Sequence, residues 1–355
     1  MINRRDFLAS AAAVSALPIL GAPALAQGLT KTSFGPTTVD ISTGHAGHSS
    51  LPTALGYWKD EGLDVNVFGV AGDTAGVQLI SGNKMDFISL VGEGLLAARA
   101  KGIPMKAVYM HARMPIGRFV VMKGSGITKV SDLKGKTIGM PVIHPDPYVE
   151  GIYKEAGLDP KEMKVVATGT GAPALLALKR GDVAAWMSWD TAVAELENRG
   201  MEFVEFRPSY FDRLFGNAVV TREEVIRDNP KLVIGMCRGI AKAVHFGLTN
   251  PEAAIRIHWK LYPQSKPQGT DEAKLLGDSK RVFMSRFQDY ELHGTKKYGE
   301  HMAAQWDTLG TMMKQQGTLP ANVEVKDAYT NQFIDQINDF DRSAIEAQAK
   351  GWAPA

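Results

Sequence analysis

The chain has 355 residues with 45% hydrophobic and 22% charged side chains, enough to bury about two sizeable cores and too apolar for a disordered chain. Formal net charge is +2, of which Arg4, Arg5 and Asp6 together supply +1, and no basic block appears, so a polyanion such as nucleic acid is not an expected partner. A discrete small molecule is.

The first residues read as an address. Asn3-Arg4-Arg5-Asp6-Phe7-Leu8 pairs two arginines with Phe-Leu, an Ala-rich apolar stretch runs to Leu20, and Ala24-Leu25-Ala26 offers a small-x-small cleavage site. This predicts a twin-arginine signal peptide over 1–26, export to the periplasm and cleavage near Ala26. The apolar stretch is short and rich in Pro and Gly for a membrane anchor, and no later run approaches about twenty apolar residues. The single cysteine, Cys237, excludes an intramolecular disulfide, and its helical spacing with Val233, Ile240 and Val244 predicts a buried thiol rather than a nucleophile.

Thr38 to Thr43 alternates as a strand and opens into Gly44-His45-Ala46-Gly47-His48-Ser49-Ser50, followed by helical spacing of Leu51, Ala54, Leu55 and Trp58. Further strands are expected at Leu63–Phe68, Met85–Leu90 and Met105–Met110. Between the first two lies a helix carrying Val77 and Ile80, which Asp73 or Thr74 could cap and Gly82 would stop. Arg118 to Met122 leaves this first lobe. Strands near 137–140, 164–167, 183–187 and 202–206, with helices near 148–156, 172–179 and 191–198, form a second, and Phe215 to Thr221 returns the chain. Beyond that the pattern is helical, with segments at 230–248, from Asn250-Pro251, at 271–286 and at 297–315.

One unit occurs twice. Glu61 to Leu90 and Ala156 to Trp189 each run Gly-Leu-Asp, apolar strand, Gly/Thr loop, amphipathic helix, a glycine at 82 or 181, and a second strand ending at Ser89 or Ser188. Two similar α/β lobes follow, each a doubly wound, parallel sheet covered on both faces. The expected division is 36–117 plus 222–350 for lobe 1 with its C-terminal helices, 123–215 for lobe 2, and crossovers at 118–122 and 216–221. Ligands of open α/β sheets lie beyond the carboxyl ends of the strands, so two such lobes make a hinged clamp.

At this level the residues resemble a family. Trp58-Lys59-Asp60-Glu61-Gly62-Leu63-Asp64-Val65, Leu79-Ile80-Ser81-Gly82 with Asp86-Phe87, Asp132-Leu133-Lys134-Gly135-Lys136 with Ile138-Gly139, and Ala156-Gly157-Leu158-Asp159-Pro160 look like solute-binding proteins of the sulfonate, nitrate, taurine and thiamine-pyrimidine type. The match spans about Thr38 to Thr221. It implies a type II periplasmic-binding fold with two crossover strands, closure on one solute, and delivery to an ABC permease of the inner membrane by a monomer without a cofactor.

The candidate ligand-binding residues are His45, His48, Thr74, Ser89, Tyr109, His111, Tyr148, Thr170, Ser188, Trp189 and Asp190. His45 and His48 flank a Gly-rich turn before a helix, where family members usually place small residues; solvated loop histidines are the competing reading. A metal site joining them to His111 or His144 lacks a coherent ligand motif. Members of the family commonly contact ligand with an aromatic and a carboxylate at the segment matching Trp186 to Asp190, although Trp186 could pack in the sheet and Asp190 could cap the helix from Thr191. Thr74, Ser89, Thr170 and Ser188 offer hydroxyls, with helix capping as the alternative for the threonines. Tyr148 could pack on its helix, and Arg113 could meet an anion or sit in an exposed ion pair. Several rings with few charges suit a flat aromatic or heteroaromatic solute, which could carry a carboxylate, better than nitrate; an aliphatic sulfonate is the alternative. An enzyme related to the fungal thiamine-pyrimidine synthase would need a Cys-rich iron motif that one cysteine cannot supply, and a ligand sensor on the same fold remains open.

Overall fold

Among the described residues ten strands divide into two sheets of five with the same topology. The computed structural model describes residues 28–143 and 147–354, so the signal-peptide segment and His144 lie outside the described residues. The first sheet contains β1 (Thr30–Pro36), β2 (Leu63–Val67), β3 (Phe87–Val91), β4 (Met105–Met110) and β10 (Asn217–Arg222), in the order β2-β1-β3-β10-β4. The second contains β5 (Gly117–Met122), β6 (Thr137–Met140), β7 (Lys164–Ala167), β8 (Ala185–Trp189) and β9 (Phe203–Phe206), in the order β7-β6-β8-β5-β9.

The duplicated unit occupies equivalent places in the two sheets. In the first copy β2 leads through α3 (Gly72–Ser81) to β3; in the second β7 leads through α6 (Ala172–Arg180) to β8. Their stops differ in detail. Gly181 takes the left-handed conformation at φ 74°, whereas in the first copy Gly82 keeps φ −86° and Asn83 turns left-handed at φ 56°.

Neither sheet is purely parallel. β1 runs parallel to β2 and β3, and β6 to β7 and β8, but β10 is antiparallel to β3 and β4, and β5 to β8 and β9. The antiparallel strand is in each case the one that has just crossed from the other lobe. The runs 118–122 and 216–221, expected as crossovers, coincide largely with these landing strands, and residues 111–116 and 207–216 make the connections.

A second difference lies at the start. Thr38 to Thr43 is not a strand; Thr30–Pro36 is, pairing with both β2 and β3. Gly35 and Pro36 resemble breakers in sequence, yet proline is tolerated at a strand's end, and Val39 and Ile41 alternate only because Thr38 and Asp40 close a local turn. Thr43–His48 is a 3-10 helix leading into α1 (Ser50–Ala54) and α2 (Tyr57–Asp60).

Helices cover both faces of each sheet. In lobe 1, Phe34, Phe87 and Val219 pack against Trp58 and the long helix α9 (Pro230–Thr249), while Ile88, Leu90 and Val220 face α3, α4 (Gly92–Ala100) and, beyond them, Trp306. In lobe 2, Phe119 and Met187 face α5 (Pro147–Glu155), and Val120 and Trp186 face α6 and α7 (Asp190–Glu197). The rest of lobe 1 is α8 (Glu223–Asp228), α10 (Pro251–Leu261), α11 (Glu272–Phe287), α12 (Ala303–Gln315), α13 (Ile334–Ile337) and α14 (Arg342–Lys350). Helix α9 is long and apolar enough to cross a membrane, contrary to the sequence expectation, but 67% of that stretch is buried within the protein. Cys237 sits there fully buried, as its spacing predicts.

The residues behind the family resemblance serve the fold. Glu61 pairs with Arg238 and Lys242 on α9, Asp86 accepts from Thr32 and Ser33 of β1, and Asp132 accepts from the amides of Thr128 and Lys129. Asp159 caps the short turn at Pro160.

Candidate functional site

The carboxyl end of β8 meets lobe 1 directly. Helix α7 begins at Asp190 and runs along α11, and the Thr43–His48 turn approaches so closely that a Cβ on Gly44 would stand 2.6 Å from Thr191 Cγ2. Asn198 Nδ2 donates to the Asp278 carbonyl at 2.8 Å, and Arg281 Nε donates to Asn198 Oδ1 at 2.9 Å. The C-terminal helices therefore brace lobe 2 as well as lobe 1. A second bridge runs from Gln316 Nε2 to the Pro147 carbonyl at the start of α5.

Asp190 does not await a ligand amine. Its carboxylate receives two hydrogen bonds from the Arg286 guanidinium, and its Oδ1 also accepts from the Thr191 amide at 2.7 Å. Both side chains are almost wholly buried. Burial alone would lower the Arg286 pKa, but the charge of Asp190 and the hydroxyl of Tyr290 outweigh it and hold the guanidinium protonated. Beside this pair Arg118 of β5 reaches Asp289 at 3.4 Å, and burial, with Asp190 nearby, pushes the Asp289 carboxyl up to about 7 against the opposing pull of Arg118 and Arg286. Two charge pairs thus join lobe 2 to the end of α11 next to the crossover.

A polar cluster continues from Arg286 into lobe 1. Tyr290 lies on the His111 ring with centroids 4.0 Å apart, and its hydroxyl donates to the Gly44 carbonyl at 3.3 Å. His111 Nε2 is hydrogen-bonded to His48 Nδ1, and the His45 ring stands edge-on to His48 at 5.6 Å. Ser42 Oγ contacts His45 Nδ1 at 3.2 Å. The structure thereby brings together three of the sequence-predicted histidines, buried rather than solvated. All three titrate well below the usual histidine range, first because burial penalises the cation and then because Arg286 and neighbouring imidazoles repel it. They are neutral at pH 7. Among the described residues no group of three or more His, Cys, Asp or Glu is arranged to hold a metal.

Several buried polar atoms in this region lack a partner: His48 Nε2, His111 Nδ1, Asn217 Oδ1 and, in lobe 2, Ser188 Oγ. The His111 amide donates to the Asn217 carbonyl, and Asn217 Nδ2 donates to Ser89 Oγ at 3.1 Å, so Ser89 belongs to the same cluster. An unsatisfied buried polar atom costs about 1–3 kcal/mol, so each of these four is a candidate to be completed by another molecule.

The remaining candidates are placed differently. Trp186 is fully buried, with Nε1 donating to Thr168 Oγ1, whereas Trp189 is only partly buried at the lobe boundary. Tyr109 is buried under Gly299, where a Cβ would come within 2.1 Å of its ring. Tyr148 packs edge-on to Phe211 with its hydroxyl directed at the Phe206 carbonyl. Thr74 is exposed in the first turn of α3; neither it nor Asp73 is the cap, which falls at Ala71. Thr170 is half-buried in the loop entering α6. Arg113 is neither free nor in a surface ion pair, because its buried guanidinium donates to the carbonyls of Glu300 and Lys297. Sequence reasoning missed Asn217, at the start of β10, and Arg286 and Tyr290. Arg286 and Tyr290 lie in a helical region whose sequence signals periodic packing.

Two equivalent sheets exchanging one strand, with their strand ends apposed, are the fold of periplasmic binding proteins. The chain belongs to the NMT1/THI5 like family, whose model matches residues 49–254. A riboflavin-binding protein of Chloroflexus aurantiacus is 25% identical over 296 residues, covering 80% of this chain and 81% of that protein. The 4-amino-5-hydroxymethyl-2-methylpyrimidine phosphate synthase THI11 of Saccharomyces cerevisiae is 26% identical over 231 residues, covering 61% of this chain and 66% of the synthase. Among solved structures, the alkanesulfonate-binding protein of Xanthomonas axonopodis pv. citri bound to MOPS aligns with a TM-score of 0.62 at 15% identity, covering 84% of this chain and 98% of that one.

Proposed function

We propose that this chain is the solute-binding component of an ABC importer, exported to the periplasm by its twin-arginine signal, cleaved near Ala26, and acting as a monomer that closes on one small organic molecule. The observation that carries the reading is the meeting of the two lobes at α7, with unpartnered imidazole, amide and hydroxyl atoms buried near the ends of β3, β4 and β8. The solute is aromatic or heteroaromatic. His48, His111, Ser89 and Asn217 supply its polar contacts from lobe 1, and Trp189 and Ser188 face it from lobe 2, with Asp190 acting through Arg286 rather than on the ligand. Delivery to a permease accounts for binding without turnover; relatives named as binding proteins support it, whereas the yeast synthase belongs to the same likeness and is the reading to exclude.

Calorimetry and thermal shift on the chain from Gln27 onward, against nicotinamide, nicotinate, lumichrome, benzenesulfonate and taurine, test the proposal. An aromatic member should bind, raise the melting temperature and be recovered chemically unchanged. Trp189→Ala should weaken that binding at least about tenfold without altering the circular dichroism. Binding of taurine alone would replace the aromatic solute with an aliphatic sulfonate. Conversion of a probe would replace the binding protein with an enzyme.

A further inference from the structure

Two helices of lobe 1 run outward from the crossovers and end on lobe 2. Helix α11 meets the crossover just past its C-terminal end, where the Asp289 carbonyl accepts from the Arg113 amide at 2.7 Å. There Arg286 holds Asp190, whose own amide donates to the Ile116 carbonyl at 2.9 Å. From Arg286 back to Asp278 is about 12 Å of helix, and at Asp278 the backbone carbonyl accepts from Asn198 Nδ2, while Arg281 Nε donates to Asn198 Oδ1. Asn198 is the C-cap of α7, and Asp190 to Asn198 spans the same length. The two helices therefore lie antiparallel and are tied at both ends.

Helix α12 repeats the plan against α5, which covers the face of the lobe 2 sheet opposite α7. At its start Gln305 Nε2 donates to the carbonyls of Arg113 and Leu214, one from each connection between the lobes, at 3.2 and 2.9 Å. At its end, about 16 Å further on, Gln316 Nε2 donates to the Pro147 carbonyl at 3.0 Å.

The two ends of each helix answer differently to a rotation of the lobes about the crossovers. Turning by about 10° moves a point about 12 Å from the pivot by about 2 Å, enough to break a hydrogen bond, but moves a point about 3 Å away by only about 0.5 Å. The inner bonds are also the costly ones to break, since Asp190, Arg286 and Gln305 are buried and would be left without water. Asn198 and Gln316 are half-buried and Arg281 is exposed, so water replaces their partners as they part. The Arg281–Glu197 pair, at 3.9 Å on the surface, adds little.

We propose that Asn198 and Gln316 are paired latches of the clamp, positioning residues that hold lobe 2 closed at the far end of α7 and the start of α5. Asp190–Arg286 and Gln305 form the pivot, which stays intact as the lobes separate. The device sets how often the cleft opens, whatever the solute.

Spin labels on cysteines replacing Lys179 of α6 and Lys260 of α10, both exposed, report the separation of the lobes by pulsed dipolar EPR without added ligand. Losing one net hydrogen bond shifts an equilibrium about fivefold, so Asn198→Ala and Gln316→Ala should each raise the ratio of long to short distances at least about fivefold, and the double variant about twenty-five-fold. Their melting temperatures should stay within about 2 °C of the parent, which separates a latch from a residue that only supports the fold. Arg281→Ala, at an exposed position, should open the clamp in the same sense, and it tests the α7 latch where Asn198→Ala does not fold. Asp190→Ala/Arg286→Met should keep the parent's distances. An unchanged distribution in Asn198→Ala/Gln316→Ala refutes the latches. Opening in Asp190→Ala/Arg286→Met but not in the amide variants reverses latch and pivot and refutes the inference too. Calorimetry judges the solute-binding reading separately, so either can fail while the other stands.

Discussion

Removing one partner of the Asp190–Arg286 pair is the sharpest test of how the lobes are held together. The side chains are 1% and 4% exposed, so Asp190→Ala strands a guanidinium and Arg286→Met strands a carboxylate, in each case without solvent. Breaking a buried pair in this way costs about 3–5 kcal/mol, whereas replacing both members with apolar groups is often close to neutral. With an unfolding entropy of about 2.1 cal/mol/K per residue over the described residues, that cost lowers the melting temperature by about 4–7 °C. Asp190→Ala/Arg286→Met should recover most of the loss, giving a coupling energy of roughly 3 kcal/mol in a double-mutant cycle measured by urea unfolding. Because Asp190 opens α7 directly after β8 while Arg286 belongs to α11, the coupling measures contact between lobes rather than stability within either. Single variants that each cost less than about 1 kcal/mol and add without coupling would show the pair to be solvated, and would refute the apposition of α7 and α11.

Proton uptake and glycine packing give two further expected outcomes. Five buried histidines, His45, His48, His111, His258 and His301, bind protons less readily folded than unfolded, His258 near about 4 and His301 near about 3. Between those values and about 6.5 the unfolded chain takes up the protons, so these groups make stability rise with pH and level off above 6.5. Burial raises Glu195 and Asp289 to about 7; there the folded chain holds the protons, and stability falls as pH rises from about 4 to 7. Five groups outnumber two, so urea-derived stability should climb from pH 4.5 to 6.5, and a fall over that range would refute the neutral histidine cluster. The second outcome compares glycines. Gly299→Ala, at φ 80° with its new Cβ 2.1 Å from Tyr109, should cost clearly more in thermal unfolding than Gly102→Ala, at φ 78° with open space around it, where only about 1 kcal/mol of backbone strain is expected. Equal losses would mean that Tyr109 does not pack where the structure puts it.

The duplicated unit made both sheets readable, because strand, Gly/Thr loop, helix and strand recur with the same local chemistry at 61–90 and 156–189. What it did not reveal is the exchange of β5 and β10. An apolar run such as Phe119-Val120-Val121 looks the same whether it joins the lobe behind it or the one ahead, since pairing partners are set by tertiary packing. His45 and His48 could be singled out by residue type in a Gly-rich turn before a helix, and His111 by its place just after a strand. Their burial could not, because it depends on Tyr290 and Arg286, more than 170 positions away in a helical region whose sequence signals only a packing face.

The two copies end differently because the C-terminal helices treat them differently. After β3, Gly92 is closed over by Leu309 of α12 and Phe215 of the return crossover, so a Cβ there would lie 2.5 Å from one and 2.6 Å from the other. After β8, the equivalent position carries Asp190, which is held by Arg286 of α11. The first end is sealed by apolar packing within its own lobe, and the second is sealed by a charge pair across lobes. In the proposed site lobe 1 would present neutral imidazoles and an amide and lobe 2 would present Trp189 and Ser188, with the charges of Asp190 and Arg286 set against each other. Asp190 and Arg286 then act on each other across the lobes, which in the proposed site makes them positioning residues rather than ligand contacts.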